Sequence, residues 1–324
     1  MSWFTKTVVG VVLGILGALS GANADTYPNR PIKLVAPFPP GGGTDIMARA
    51  LAEQLAAELK QPVIVENRSG ASGNIGAAAV ARAKNDGYTL LMTSAPFAIG
   101  PAIFKDLSFD PIKDFTAITQ ISMVPLLVVT RADSPLNSIA DLIAAAKEND
   151  KSISFATFGV GSPPHLTGEK IQELAGIKML HIPYKGGSEA ITELMSGQVS
   201  IGILDVISMM PMVKEGRLKA LAITGPVRAQ TLAEVPTLVE AGVPYDDVGW
   251  FGLFAPAGLS PAITNTLNAA VNKILATPDI RRLIFASGTV PIAPPTSPAE
   301  WQAIFNENVR VWGATATEVM KKEP

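Results

Sequence analysis

The feature that most constrains this chain is an alternation of short apolar β runs with segments whose apolar residues recur at helical spacing. Ile32-Lys33-Leu34-Val35-Ala36 is a β run, and after a Pro/Gly turn Met47, Leu51, Leu55 and Leu59 recur every four residues, one face of a helix. Val63-Ile64-Val65 reads as a second strand and residues 88–92 as a third, separated by a glycine-rich turn at 70–76 and an alanine-rich helix ending near Ala83. The rhythm resumes at Ser138, which can cap a helix with Ile139, Leu142, Ile143 and Ala146 on one face. Strands follow at 153–156, 179–182, 199–204 and 218–224, with helices at 164–174 and 188–195 and a short one before the last strand. This alternation predicts an α/β fold of mainly parallel sheets covered by helices on both faces.

The chain has 324 residues, 48% of them hydrophobic, enough for two domains of about 100–200 residues each. Two further β runs, at 126–130 and 250–255, each run into a loop containing proline. If both are hinge strands, residues 126–245 form one domain, and residues 25–125 with 246–324 form the other. Such a double crossing makes a clamp with a cleft between its lobes, and clefts between domains are favoured ligand sites.

Several classes of function are excluded early. The chain has no cysteine, which removes disulfides, thiolate metal sites and cysteine nucleophiles. Its two histidines, His165 and His181, do not have metal-ligand spacing, so no metal is expected. Neither a dinucleotide fingerprint nor a Gly-Lys-Ser/Thr phosphate loop is present, so no organic cofactor is expected either. The formal net charge is −2 with no basic run, which argues against nucleic acid as a partner. At the N-terminus, Lys6, the uncharged apolar run at 8–19 and Ala22-Asn23-Ala24 read as a secretory signal, residues 1–24, with the mature chain beginning at Asp25. The apolar run is shorter than the ~20 residues a membrane span needs.

The sequence also carries an ordered set of longer strings. These are Tyr27-Pro28-x-Arg30-Pro31-Ile32-x-Leu34-Val35, then 37–45 (Pro-Phe-Pro-Pro-Gly-Gly-Gly-Thr-Asp) and Val65-Glu66-Asn67-Arg68-x-Gly70-Ala71-x-Gly73-Asn74-Ile75-Gly76. Asp86-Gly87-Tyr88-Thr89-Leu90-Leu91, Asp110-Pro111-x-Lys113-Asp114-Phe115, His181-x-Pro183-Tyr184-Lys185-Gly186 and Phe254-Ala255-Pro256-Ala257-Gly258 follow. In order and spacing the set resembles the solute receptors of tripartite tricarboxylate transporters, the Bug receptors. The resemblance implies a type II-like, two-lobed periplasmic binding fold whose ligand, a small organic acid, sits in a cleft between lobes. It also implies a periplasmic, non-enzymatic receptor, expected to be monomeric, that hands its ligand to transmembrane permease subunits. Some members of the family are found without a permease and would act as sensors. Pocket residues vary in this family, so ligand identity does not carry over.

Candidate ligand contacts lie on loops that follow strands. In the first loop they are Phe38, Pro40, Gly41, Gly42, Thr44 and Asp45. Backbone N–H groups at a helix N-terminus attract anions, and glycines let a ligand approach closely; the plainer reading is a tight turn. Asn74 in the second glycine-rich turn, and Thr93 and Ser94 at the end of a strand, are further candidates, set against close packing and turn capping. In the middle domain, Ser162 and His165 are the polar members of the counterpart loop. As a pair they invite a hydrolase reading, but the Gly-x-Ser-x-Gly elbow and an acidic partner are missing. The resemblance places the loop of Tyr184, Lys185 and Gly186 at the cleft and has Asp205 face it, accepting hydrogen bonds; the plain alternative for Asp205 is an N-cap for a helix near Ser208. A regulator's effector-binding domain shares this fold class, but an export signal stands where its DNA-binding helices would be.

Overall fold

The computed structural model describes residues 27–148, 152–184 and 187–322. The expected signal segment therefore lies outside the described residues. In chain order the elements are β1 (Ile32–Ala36), α1 (Gly43–Leu59), β2 (Val63–Asn67), α2 (Asn74–Ala81), β3 (Thr89–Ser94), α3 (Pro96–Ile103), β4 (Phe115–Val124) and β5 (Leu126–Arg131). Then come α4 (Ile139–Glu148), β6 (Ser154–Thr157), α5 (Pro163–Ala175), β7 (Leu180–Pro183), α6 (Gly187–Ser196), β8 (Ile201–Asp205), α7 (Val206–Lys214) and β9 (Leu218–Ile223). The chain closes with β10 (Gly249–Pro256), α8 (Pro261–Leu275), α9 (Pro278–Ala286), β11 (Val290–Pro291) and α10 (Pro298–Lys322).

The strands form two sheets, ordered β11-β4-β10-β3-β1-β2 and β7-β6-β8-β5-β9. Both are mixed rather than mainly parallel. β2, β1 and β3 run parallel, as do β7, β6 and β8, because each is joined to the next through a helix. β4 and β10, and β5 with β9, run antiparallel to their neighbours. These strands carry the chain between sheets or sit beside those that do, so the crossover constraint does not fix their direction.

Successive residues of a strand point to opposite faces, so each sheet has two cores. In the six-stranded sheet Leu34, Leu90, Met92 and Leu253 face Leu51 and Leu55 of α1 and Leu267 and Val271 of α8. Their neighbours Val35, Leu91 and Phe254 face Val80, Phe97, Trp301 and Phe305 on the other side. In the five-stranded sheet Val128, Phe155, Ile201 and Ile203 build one core, and Leu127, Val129, Ala156 and Leu204 the other. Burial on both faces explains why these strands read as continuous apolar runs.

The chain leaves the six-stranded sheet at Val124, passes Pro125 and enters the five-stranded one at Leu126, returning between Ile223 and Gly249. Gly249 lies opposite Val124, where a Cβ would come within 2.8 Å of the Val124 carbonyl oxygen, so the two crossing strands touch only because it is glycine. α10 packs on α3 and α5, joining the lobes through Ile99, Leu166, Trp312, Ala316 and Val319.

Candidate functional site

Register places the loops. β1, β2 and β3 end at Ala36, Asn67 and Ser94, and Ser94 faces Phe251, two residues from the Gly249–Val124 pair. β6, β7 and β8 end at Thr157, Pro183 and Asp205, and Asp205 faces Leu126. Both C-terminal edges therefore flank the crossing at Pro125, whose carbonyl accepts the Val206 N–H at 3.1 Å. Loops beyond the C-terminal ends of parallel strands are where open α/β sheets hold ligands. The lobes meet here: Ile207, in the first turn of α7, packs against the cores of both. A Cβ on Gly43 would lie 2.7 Å from the Ile207 Cδ1, and one on Gly161 2.4 Å from the Ile103 Cδ1.

The first loop ends in an uncapped helix. Gly42 is the N-cap of α1 and, among the described residues, no side chain bonds to the first-turn N–H groups, which leaves their partial positive charge toward the loop. Pro40, Gly41 and Gly42 are exposed, Phe38 is half-buried, and Gly41 has φ +83°, a conformation that glycine adopts without strain. Thr44 is buried.

Asp45 is turned inward. It is 3% exposed and accepts from the Gly41 N–H at 2.9 Å, Arg49 Nε at 3.0 Å and Asn67 Nδ2 at 2.8 Å. Asn67 also donates to the Phe38 carbonyl at 3.1 Å. Burial alone would raise the Asp45 carboxyl, but hydrogen bonds from Arg49, Gly41 and Asn67 and the Arg49 charge outweigh it and hold it below the usual carboxylate range. The structure thus puts Asp45 behind the loop as its brace, not on the ligand side. Asn67 and Arg49 complete this brace and were not among the sequence candidates; the position of Asn67 at the end of a parallel strand was the available signal.

The second turn backs the first. Gly70, Ala71, Ser72 and Gly73 all have positive φ, which for Ala71 and Ser72 costs about 1–2 kcal/mol each. A Cβ on Gly73 would lie 3.3 Å from the Phe38 Cζ, and one on Gly76 2.8 Å from the Pro37 Cβ, so the two loops are in direct contact. Asn74 is buried at the start of α2, its side chain against Gly100 of α3, where a Cβ would lie 3.2 Å from the Asn74 Oδ1. Thr93 is buried within β3, and half-buried Ser94 stands at its end.

The opposite lobe is less suited to anions than its sequence suggests. Pro163 and Pro164 open α5 and remove two of its first N–H donors. The Ser162 hydroxyl donates to the Gly159 carbonyl at 2.6 Å, and His165 Nδ1 accepts the Gly161 N–H at 3.0 Å. Ser162 and His165 are therefore separately engaged within the loop, and among the described residues no hydrogen bond joins them. His165 is fully buried and stacks on His181 at 3.8 Å, which stacks in turn on Phe155 and meets the Thr157 hydroxyl at 2.8 Å through Nε2. Burial pushes the His165 imidazole down to about 4 and that of His181 to about 3, the latter with help from His165. His165 is thus a core residue, not a cleft contact.

Tyr184 is half-buried on the loop after β7 and donates its N–H to the Thr157 carbonyl at 3.0 Å. Burial, with Glu193 and Glu189 nearby, raises its phenol above the usual range. Lys185 and Gly186 lie outside the described residues. Asp205 is the N-cap of α7, accepting the Ser208 N–H at 2.9 Å and the Ser208 hydroxyl at 2.9 and 3.0 Å. Half-buried at the sheet edge, it has a complete local role as a cap.

Comparison with known proteins bears on the fold and the family. Residues 47–319 match the model of the tripartite tricarboxylate transporter family receptor. Protein BugT of Bordetella pertussis is 35% identical over 318 residues, 97% of each chain. Among solved structures, R. palustris Rpa4515 with adipate superposes with a TM-score of 0.80 at 31% identity, over 90% of this chain and 98% of that one. MatC from Rhodopseudomonas palustris with bound malate does so with a TM-score of 0.77 at 30% identity, over 90% and 100%. These matches cover most of the chain, and the chain belongs to the tripartite tricarboxylate transporter receptors, periplasmic solute-binding proteins rather than enzymes.

Proposed function

We propose that this receptor captures a small organic acid between its lobes by hinge closure and delivers it to a tripartite tricarboxylate-type permease. The observation that carries the reading is the uncapped N-terminus of α1, reached through exposed Gly41 and Gly42 beside the Gly43–Ile207 contact between lobes. Backbone N–H groups there suit a carboxylate without needing an arginine. The contacts this reading expects are Phe38, Pro40 and Ser94 on one lobe, with Thr44 and Thr93 buried behind them, and Tyr184 and Asp205 on the other. The moving bodies are residues 25–125 with 246–324, and 126–245, in a mature chain beginning at Asp25. Adipate and malate, held by two of the similar structures, make dicarboxylates the first ligands to try.

Calorimetric titration with adipate and malate tests this, using Gly42→Val. Gly42 has φ −76° and ψ 164°, which valine adopts freely, and its Cβ would meet only the Pro39 carbonyl oxygen at 3.5 Å. The fold is therefore expected to survive while the anion site is obstructed, weakening every carboxylate ligand at least about tenfold. Unchanged affinity would place the carboxylate elsewhere.

A further inference from the structure

The lobes meet where aliphatic side chains are seated on glycines. Ile207 of one lobe faces Gly43 of the other, and Ile103 faces Gly161. A Cβ on Gly43 would lie 2.7 Å from the Ile207 Cδ1, and one on Gly161 2.4 Å from the Ile103 Cδ1. Carbon atoms pack at about 3.5–4.0 Å, so neither socket takes a methyl group without movement. Gly43 is the first residue of α1, next to its N-cap Gly42, so the Ile207 contact lies directly beside the uncapped N–H groups.

Ile207 is a firm knob rather than a side chain free to swing aside. Its mount is pinned on either side. The Val206 N–H donates to the Pro125 carbonyl at 3.1 Å, at the crossing, and Asp205 accepts the Ser208 N–H at 2.9 Å to cap the first turn of α7. The socket has a second wall in Phe251 of the crossing strand β10, which is 3% exposed and whose Cζ would lie 3.3 Å from the same Gly43 Cβ. Ile207 is half-buried against the cores of both lobes, and a β-branched side chain in a helix has one strongly preferred χ1 rotamer. A methyl group added at Gly43 is therefore accommodated by moving α7, and with it the lobe.

We propose that Ile207 against Gly43 is the stop that limits closure, and that this stop sets the length of acid the receptor accepts. The inference rests on the reading that a carboxylate is held at the α1 N-terminus while the other lobe closes over it. The ligand then bridges from those N–H groups to the opposite lobe, and the distance it must span is fixed where the side chain meets the glycine. Because the stop sits beside the crossing, a displacement of about 1 Å there opens the outer cleft by more. Ile207 is thus a specificity-determining residue that acts through the spacing of the lobes.

Calorimetric titration of the mature protein with malonate, succinate, glutarate, adipate and pimelate tests this in the wild type, in Gly43→Ala and in the double variant Gly43→Ala/Ile207→Val. Gly43 is helical and its φ is not positive, so its backbone accepts alanine. Gly43→Ala should move the preference toward longer acids, changing the affinity ratio of neighbouring acids by about tenfold, the usual scale for one methylene. Ile207→Val removes the Cδ1 that the new methyl meets, and the double variant should return to the wild-type ranking. Damage to the fold, or obstruction of the anion site itself, would weaken all the acids alike and would not be repaired by shortening Ile207. An unchanged ranking in Gly43→Ala, a uniform loss, or a double variant that keeps the shifted ranking would overturn the proposal. A wild type that binds none of these acids would instead overturn the reading of the site, and the stop with it.

Discussion

Replacing Asp45 separates two roles a carboxylate beside a binding loop can have. A ligand contact waits for its ligand, and removing it leaves the empty protein as stable as before or more so. A brace is already satisfied, and Asp45 accepts three hydrogen bonds from within its own lobe, from Gly41, Arg49 and Asn67. Hydrogen bonds to charged groups contribute about 1.5–3 kcal/mol each, but a donor that regains water recovers most of that. Gly41 is exposed and the Arg49 side chain is 53% exposed, so both rehydrate. Half-buried Asn67 does so less well, and the net loss for Asp45→Ala is near one bond, roughly 1.5–3 kcal/mol. Asp45→Asn keeps one acceptor oxygen and should lose less. The assay is urea denaturation without ligand, followed by circular dichroism. Because the folded carboxyl is held below its unfolded value, this contribution is present above the unfolded pKa of about 3.9 and lost as the pH falls through the folded one. An unchanged midpoint in Asp45→Ala, combined with lost ligand binding, would refute the brace and return Asp45 to the ligand.

The stacked histidines predict acid sensitivity. His165 and His181 titrate near 4 and 3 when folded and near 6.5 when unfolded. Stability should be complete above about pH 6.5 and fall toward pH 4, by up to roughly 1.4 kcal/mol per pH unit for each histidine. Thermal denaturation across that range checks it, and a flat profile would contradict the buried stack. Gly249→Ala should destabilise the fold by about 1–3 kcal/mol, because its Cβ meets backbone at the crossing rather than a side chain that can swing away. An unchanged urea midpoint would show that the crossing strands have more room than their register implies.

Much of the fold was legible because strands buried on both faces write themselves as apolar runs between glycines and prolines. β1, β6 and β8 fall within two residues of where the pattern puts them. β4 was less legible, since its buried Thr119, Gln120 and Ser122 look like surface residues. Thr119 and Gln120 are satisfied by partners such as Thr296 and Asn272, some 150 or more positions away. The direction of the crossing strands was hidden for a related reason, since pairing direction is set by topology rather than by side chains. At the site, the first loop was readable from its glycines, but the inward turn of Asp45 depends on Asn67, a strand away. His165 shows the same limit. Nothing local distinguishes a cleft histidine from one stacked beneath the loop on His181. Ile207 was invisible in sequence because its role as one of the contacts between lobes exists only once α7 is set against Gly43.

The central claim is that the ligand is gripped by both lobes and that binding shifts the population toward closure. Small-angle X-ray scattering of the mature protein, with and without a saturating carboxylate shown to bind by calorimetry, tests it most directly. The account predicts a smaller radius of gyration with ligand and a change that vanishes in Gly42→Val; a scattering profile unchanged by a saturating ligand would contradict it.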